Sequence, residues 1–241
     1  MGDRGGESPS FEGTYTAKIG ETQWPADRVG GKANGLHTLE QLGFRTPEAF
    51  CITTDAFDRV IAECVADAHD LDELRKRILE VEIPAEILTE IELRVDDIGA
   101  DAWAIRSSAL EEDDPAHSFA GQQRTVLGAT DLDEIEAGIK EVWASLYNVE
   151  SLLYRTRLRV GLEPAPMAVV VQRLVEPEVA GVMFTENPVS GDPNQIVINA
   201  GVSGDTAVVA GGPADTYYLE KQTGYVERHE LAKPDAPGGP Q

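Results

Sequence analysis

The sequence has 241 residues, of which 41% are hydrophobic and 26% charged, and its formal net charge is −23. A chain of this length can bury roughly 70% of its unfolded surface, which supports one large domain or two small ones. The acidic excess argues against a general nucleic-acid binder, because phosphate neutralisation needs a basic face, and against docking on an anionic membrane.

The acidity itself has two explanations. It suits a high-salt cytoplasm, because at about 1 M salt the Debye length falls to about 3 Å and self-repulsion is screened. It equally suits an acidic mesophilic protein that its charge keeps soluble.

The two cysteines, Cys51 and Cys64, stand among apolar neighbours and are predicted to be buried structural thiols. No signal peptide is recognisable, and no apolar run approaches about 18 residues. The sequence therefore predicts a soluble, cytoplasmic protein, and no Cys/His cluster indicates a zinc site.

The first part of the chain predicts a flexible tail over 1–13 and a mixed α/β subdomain over 14–165. Strands are predicted at Thr14–Ile19, Phe44–Thr53 and Trp103–Arg106. Pro47 favours an edge or loop-like strand for the second of them. A helix is predicted after Gly30-Gly31, with Leu36, Leu39 and Leu42 as its apolar face. Further helices are predicted at Asp55–Ala68, over 70–97, and at Asp131–Val160 with Asp131 as N-cap.

The second part predicts a β-rich subdomain over 166–232 and a flexible tail over 233–241. Strands are predicted at Met167–Val175, Val179–Thr185, Gln195–Ala200, Ala207–Ala210, Thr216–Glu220 and Tyr225–Leu231. We expect the first two to form a hairpin, and Gln222-Thr223-Gly224 to form a tight turn. The pattern indicates an α+β protein with a largely antiparallel second half, and a ligand is expected between the two halves.

Gly30-Gly31-Lys32 is the first candidate ligand-binding segment. Two glycines allow successive backbone N–H groups to turn toward an anion, and the helix predicted after them adds positive potential. A lysine at this place can reach a phosphate oxygen. The segment is not a Walker A loop, and a helix-initiating glycine pair beside a solvated lysine is the ordinary alternative.

Arg106 is the second candidate, because it ends a predicted strand, where ligands collect in α/β proteins. Ser107 and Ser108 add hydroxyl donors. A surface ion pair is the ordinary alternative for such an arginine. The acidic run Glu111–Asp114 is either a contributor to a Mg²⁺ site or a solvated loop.

Two further segments are unspecific when taken alone. In Ser118–Thr125, small residues beside Gly121 allow close backbone approach, and Gln122 offers an amide donor. The backbone of Gln172–Val175 is a candidate adenine slot between apolar walls, with plain sheet core as the alternative.

Taken together, the segments GGKANGL, AIRSSALEEDDPAHSFAGQQ, VWASLYN, MAVVVQRLV and AGVMFTENPVSGD are highly specific. From about Arg28 to Leu231 they resemble the N-terminal nucleotide-binding domain of the phosphoenolpyruvate synthase, pyruvate phosphate dikinase and rifampicin phosphotransferase family. The resemblance implies an ATP-grasp-like fold, with two subdomains and the nucleotide cleft between them, and ATP and Mg²⁺ as cofactors. It also implies transfer of the β-phosphoryl group of ATP to a carrier histidine on a swivelling domain.

The resemblance also assigns residues. Lys32 resembles the family's triphosphate-binding lysine and Arg106 its phosphate-clamping arginine, so both are predicted catalytic residues. The residues predicted to bind the nucleotide are Gly30, Gly31, Lys32, Arg106, Ser107, Gly121, Gln122, Gln172, Arg173, Leu174 and Val175. Metal ligands stay unassigned, apart from Asp205 as a candidate, where synthase-type relatives carry a Gly-Leu-Gly-Glu pattern.

The chain departs from the family pattern in two further ways. None of its four histidines stands in the Thr/Gly-rich setting of the carrier histidine, and family domains continue to a Gln-Asp-Ile-Glu-Trp-like segment that this sequence does not contain. We expect an ATP-dependent kinase or phosphotransferase domain, incomplete on its own, that acts with a carrier-histidine domain and a substrate domain in cis or as separate chains. The alternative is a catalytically incomplete nucleotide-binding or assembly module of the same fold.

Overall fold

The computed structural model describes residues 14–65, 70–109, 125–147, 166–202 and 214–232. The chain divides into two compact units, Met1–Leu174 and Val175–Gln241. The described residues form helices and two sheets in which every pairing of strands is antiparallel. The predicted α+β class is confirmed.

The first unit contains one five-stranded sheet with the strand order β1-β2-β5-β3-β4. Its elements in chain order are β1 (Thr16–Lys18), α1 (Ala26–Gln41), β2 (Ala49–Ile52), α2 (Thr54–Val65), α3 (Leu71–Glu80), α4 (Ala85–Ile98), β3 (Trp103–Ser108), β4 (Thr125–Ala129), α5 (Leu132–Ala144) and β5 (Ala168–Arg173). A 3₁₀ turn, Ser145–Tyr147, follows α5.

The two faces of this sheet bury different side chains. The larger core packs Ile105 and Val171 against apolar residues of α2, α3, α4 and α5. On the opposite face, Cys51 and Val170 belong to a smaller cluster with Val29 and other residues of α1. Because successive side chains of a strand alternate between faces, and Arg106 is paired with Val170, Arg106 emerges on the α1 face.

Local capping chemistry fixes the helix ends as the sequence predicts. The Asp131 carboxylate accepts a hydrogen bond from the Glu134 amide at 2.9 Å, so the predicted N-cap of α5 is confirmed. Asp70 caps α3 in the same way, through the Glu73 amide at 2.8 Å. The charged stretch predicted as helical over 70–97 is two helices, since α3 ends at the extended Val81 and Pro84 stands at the N-cap of α4.

Of the apolar face predicted for α1, Leu36 packs against the smaller core, but the prediction is wrong for Leu39 and Leu42. Leu39 and Leu42 are 41% and 69% exposed, and the helix instead buries Val29, Ala33 and His37. The motif that ends α1 accounts for part of this exposed apolar surface. Gly43, with φ 82°, donates to the Glu40 carbonyl and the next amide donates to the Leu39 carbonyl. This is a Schellman motif, in which apolar residues commonly flank the helix end.

The predicted hairpin between Met167–Val175 and Val179–Thr185 is also wrong. β5 is an interior strand of the first sheet, paired with β2 and β3, whereas the strand after it begins the second sheet. The chain therefore passes from the first compact unit to the second after Leu174, whereas the sequence placed this boundary at residue 166. β2 is interior as well, so the edge alternative predicted from Pro47 is wrong. The loop-like alternative fits, because residues 44–48 are irregular and that proline precedes the strand.

The second unit contains a four-stranded sheet with the strand order β6-β7-β8-β9. Its strands are β6 (Val179–Phe184), β7 (Gln195–Val202), β8 (Asp215–Glu220) and β9 (Val226–Glu230). The tight turn predicted at Gln222-Thr223-Gly224 is confirmed, since Gly224 has φ 70° and its amide donates to the Glu220 carbonyl at 2.8 Å. The strand predicted at Ala207–Ala210 lies outside the described residues. None of the helices in the described part of the chain is long and apolar enough to cross a membrane.

Candidate functional site

The glycine pair interrupts α1 instead of preceding it. Gly30 has φ 75° and ψ 173°, so the helical path breaks there and resumes after it. Glycine adopts this conformation without steric cost. A Cβ at this position would lie 1.9 Å from the carbonyl oxygen of Ser108. The missing side chain therefore allows α1 to lie directly on the backbone of β3.

The break docks on the end of β3 through hydrogen bonds from the two residues that follow Gly30. The Gly31 amide donates to the Ala109 carbonyl at 3.0 Å. The Lys32 ammonium donates to the Ser107 carbonyl at 2.7 Å. Two of the segments predicted from sequence, 30–32 and 106–108, thus lie against each other.

Arg106 lies inside β3, two residues before the strand ends at Ser108. The sequence prediction placed it at the carboxyl end, and this is wrong because the strand continues to pair with β5 through Ser108 and Ala168. The guanidinium donates to the side-chain carbonyl of Gln172 on β5 at 3.4 Å. Gln172 is only 6% exposed. The structure therefore brings Arg106 and Gln172 together on the α1 face of the sheet.

These contacts place two cations near the end of one strand. Lys32 contacts the residue that immediately follows Arg106, and both side chains are half-buried. An ammonium is a compact point charge with three donors, whereas a guanidinium presents a planar fork suited to paired phosphate oxygens. The two cations give the arrangement the chemistry of an anion site, whereas the Gly31 amide is used for docking on Ala109.

The end of β5 has a structural role in addition to the predicted one. The Arg173 side chain bonds the Glu48 carboxylate at 2.8 and 3.0 Å and the Ile98 carbonyl at 2.8 Å. The Leu174 amide donates to the Ala102 carbonyl at 2.9 Å. Val175 begins the second unit. Adenine binding by Gln172–Val175 stays a prediction.

Three predicted site residues, Gly121, Gln122 and Asp205, lie outside the described residues, as does Glu111–Asp114. Within the part of the chain that is described, no group of three or more His, Cys, Asp or Glu side chains could hold a metal ion. The structure therefore assigns no metal ligand.

Sequence reasoning missed the function of Ser108 in this docking, having treated it only as one of two hydroxyl donors. Ser108 is 1% exposed, its hydroxyl donates to the Val29 carbonyl at 2.7 Å, and it accepts from the Ala33 amide at 3.1 Å. The Cys51 thiol donates to the same Val29 carbonyl at 3.4 Å. Burial raises the pKa of Cys51 well above its ordinary value, so the thiol stays protonated as a donor. Cys51 and Cys64 are both buried, as predicted. Only the adjacency of two serines to a predicted site hinted at this arrangement.

Comparison with known proteins agrees with this chemistry. The model of one family, described as pyruvate phosphate dikinase, AMP/ATP-binding domain, matches residues 26–236. The chain is 37% identical over 210 residues to the prodigiosin synthesizing transferase PigC of Serratia marcescens, covering 85% of this chain and 23% of that protein.

Two other relatives carry different names. A rifampicin phosphotransferase of a Streptomyces species is 36% identical over 203 residues, covering 76% of this chain and 24% of that protein. A probable phosphoenolpyruvate synthase of Pyrococcus abyssi is 31% identical over 262 residues, covering 85% of this chain and 32% of that protein. The chain thus spans between 23% and 32% of the length of these three relatives. The family match includes every element from α1 to β9, and the chain belongs to the pyruvate phosphate dikinase AMP/ATP-binding domain family.

Proposed function

We propose that this chain is the ATP-binding part of a phosphotransferase, which passes a phosphoryl group from ATP to a carrier histidine on another domain or chain. The observation that carries the proposal is the docking of the 30–32 segment on the end of β3 beside Arg106. This site lies within the region that matches an AMP/ATP-binding family.

The chemistry of the transfer fits the groups present. Phosphoryl transfer requires little covalent participation by the protein, and catalysis comes from positioning and from neutralising charge on the phosphate oxygens. In this proposal Lys32 exchanges its bond to the Ser107 carbonyl for one to a phosphate oxygen. Arg106 clamps the phosphates with its planar fork, and the amide of Gly31 lies next to the same position.

The net charge limits which groups can attract ATP in this proposal. A chain with a formal charge of −23 repels a polyanion such as ATP over long distances. Binding must therefore come from cations that act at short range, where salt screens least. Lys32 is one of only six lysines in the sequence, and it lies at the proposed site.

The remaining parts of the site follow from the family resemblance. We propose that the backbone of Gln172–Val175 reads the adenine and that Gly121 and Gln122 belong to a segment that contacts the phosphates. We also propose that Mg²⁺ accompanies ATP, because Mg²⁺ is commonly held by substrate phosphates and one or two carboxylates. The described residues contain no group of three potential ligands, so no residue and no step is assigned to the metal.

The partners in this proposal are a carrier-histidine domain and a substrate domain. The relatives are named for different products, phosphoenolpyruvate in one and a phosphorylated antibiotic in another. The final acceptor therefore differs within the family, and this chain's sequence does not select one.

Labelled ATP tests the proposal. The protein in its full natural length would be incubated with ATP carrying the label on the β-phosphorus and, separately, on the γ-phosphorus. The proposal predicts β-label on a histidine, AMP as the remaining nucleotide, and γ-label in free phosphate or pyrophosphate, because the terminal group passes to water or to phosphate. Nucleotide binding with no labelled protein would contradict phosphoryl transfer and would support the alternative of a nucleotide-binding or assembly module.

A further inference from the structure

We propose that Ser108 is a positioning residue for Lys32, because its hydroxyl holds the break in α1 in the shape that presents the lysine to a phosphate. This inference rests on the proposed function for its ligand. Its structural part, the bridge across the break, can be tested without any nucleotide.

The bridge joins two groups that the helical pattern would pair. In a continuous α-helix the amide of Ala33 donates to the carbonyl of Val29. Here Gly30 leaves the helical path between them. The Ser108 hydroxyl accepts from the Ala33 amide at 3.1 Å and donates to the Val29 carbonyl at 2.7 Å. A side chain inserted into the helical ladder in this way is a recognised cause of a fixed kink.

The direction of both hydrogen bonds is determined by chemistry. A backbone amide only donates and a carbonyl only accepts, so the single hydroxyl proton of Ser108 must point to Val29. The hydroxyl lone pairs are then available for Ala33. Ser108 is 1% exposed and Cys51, the second donor to Val29, is fully buried. Water is a poor replacement in such a place, so losing the hydroxyl leaves the Ala33 amide unsatisfied, while the Val29 carbonyl keeps only the weaker thiol donor.

The bridge belongs to a continuous contact between the two segments. The carbonyl of Ser107 accepts from the Lys32 ammonium, the hydroxyl of Ser108 binds either side of the break, and the carbonyl of Ala109 accepts from the Gly31 amide. Three consecutive residues at the end of β3 therefore hold the α1 break.

The consequence for Lys32 is preorganisation. The residues before and after Lys32 are both anchored to β3, at Ala109 and at Ser108, so the lysine backbone is held before a ligand arrives. Fixing a binding group in advance lowers the entropy that association must lose. Removing the hydroxyl releases one of these two anchors, and the lysine then has more conformations to lose on binding.

Ser108→Ala tests the inference against a matched control, Thr54→Ala. Thr54 is also buried, and its hydroxyl donates to the Asp27 carbonyl of the same helix at 3.1 Å, but this bond lies before the break and does not span it. Both variants lose a hydroxyl that binds α1: Ser108→Ala removes the two bonds that span the break, and Thr54→Ala removes one bond before it. We expect Ser108→Ala to weaken ATP binding by about tenfold, which corresponds to about 1.4 kcal/mol, and Thr54→Ala to leave the dissociation constant within about twofold of wild type.

Amide hydrogen exchange supplies a measurement without nucleotide. In the wild-type chain the Ala33 amide is expected to exchange as slowly as the amides in the middle of α1, although it lies at a break. In Ser108→Ala its exchange is expected to rise by at least about tenfold, with little change in Thr54→Ala. Because the wild-type measurement needs no variant, it holds even if Ser108→Ala does not fold.

The outcomes separate the two claims. Equal ATP affinity in Ser108→Ala and Thr54→Ala would overturn the positioning role of Ser108. Rapid exchange of Ala33 in the wild-type chain would overturn the bridge. A folded wild-type chain that binds no ATP would refute the proposed function, while slow exchange at Ala33 would still support the bridge.

Discussion

Replacing Lys32 with methionine removes the charge that the proposed site uses most directly. Methionine keeps the length of the stem, so the apolar contacts along the side chain are largely retained. The lost group is the ammonium, which donates to the Ser107 carbonyl at 2.7 Å and would bind a phosphate oxygen in the complex. The change therefore acts on charge and hydrogen bonding and has little effect on packing.

The expected loss of ATP affinity in Lys32→Met follows from the type of hydrogen bond that is removed. A hydrogen bond from a charged group to a phosphate is worth about 1–3 kcal/mol, so Lys32→Met should weaken ATP binding by about 5- to 150-fold. The free energy of unfolding should fall by only about 0.5–1.5 kcal/mol, because a half-buried side chain loses one hydrogen bond.

The assay is a calorimetric titration with ATP, run in parallel on Lys76→Met. Lys76 lies on α3 with a side chain that is 73% exposed, and its ammonium pairs with the Glu80 carboxylate at 3.9 Å. The control makes the same change in net charge at a site remote from the proposed contacts. If Lys32→Met bound ATP within about twofold of Lys76→Met, the assignment of Lys32 to the phosphates would be refuted.

Three further predictions follow from particular contacts. Arg106→Ala should weaken ATP binding by about 1–3 kcal/mol. Arg106→Lys should recover only part of this loss, because the planar fork is gone. Calorimetry on both variants distinguishes these results from an unchanged affinity. Gly30→Ala should lower the free energy of unfolding by about 1–3 kcal/mol, because the added Cβ would lie 1.9 Å from the Ser108 carbonyl oxygen. A denaturant titration of the variant that matches wild type would contradict this close approach. The Ala232 amide lowers the pKa of Asp215 below its ordinary value, so this carboxylate stabilises the fold above about pH 4, and the contribution is lost as pH falls through the lowered pKa. Asp215→Asn should therefore be less stable than wild type at pH 7 and should lose less stability between pH 5 and 2. Denaturation measured across this range tests this, and parallel pH profiles of the two proteins would count against it.

Local chemistry made several elements predictable from the sequence. The Asp131 cap and the turn at Gln222-Thr223-Gly224 depend on residues within a few positions of each other, so their side-chain chemistry is visible in the sequence. Lys32 and Arg106 were identified from their motifs, and the structure places both near the end of β3.

Contacts between distant residues account for what the sequence could not show. β5 and β6 are apolar runs joined by the short acidic segment Glu176-Pro177-Glu178, which is typical of a hairpin. Nothing local indicates that β5 instead inserts between β2 and β3. The face of α1 was misassigned for a related reason. The sheet beneath it presents small residues such as Ala17 and Ala168. The helix therefore lies close to the sheet with Val29 and Ala33 inward, and Leu39 and Leu42 stay exposed.

The Ser108 bridge shows the same limit within the site. Ser108 and Ala33 are 75 residues apart in the chain, and the bond between them exists only because Gly30 allows the close approach of α1 and β3. A pattern of two serines after a strand suggests hydroxyl donors but does not reveal their acceptors.

The central claim is that this chain binds ATP through the docked segments of α1 and β3. Its most direct test is a calorimetric titration of the whole chain with ATP and Mg²⁺, at low and at molar salt, with folding verified by circular dichroism under both conditions. The account predicts saturable binding of one nucleotide per chain in at least one condition, weakened by Lys32→Met and by Arg106→Ala. A folded chain that binds no ATP in either condition would contradict it.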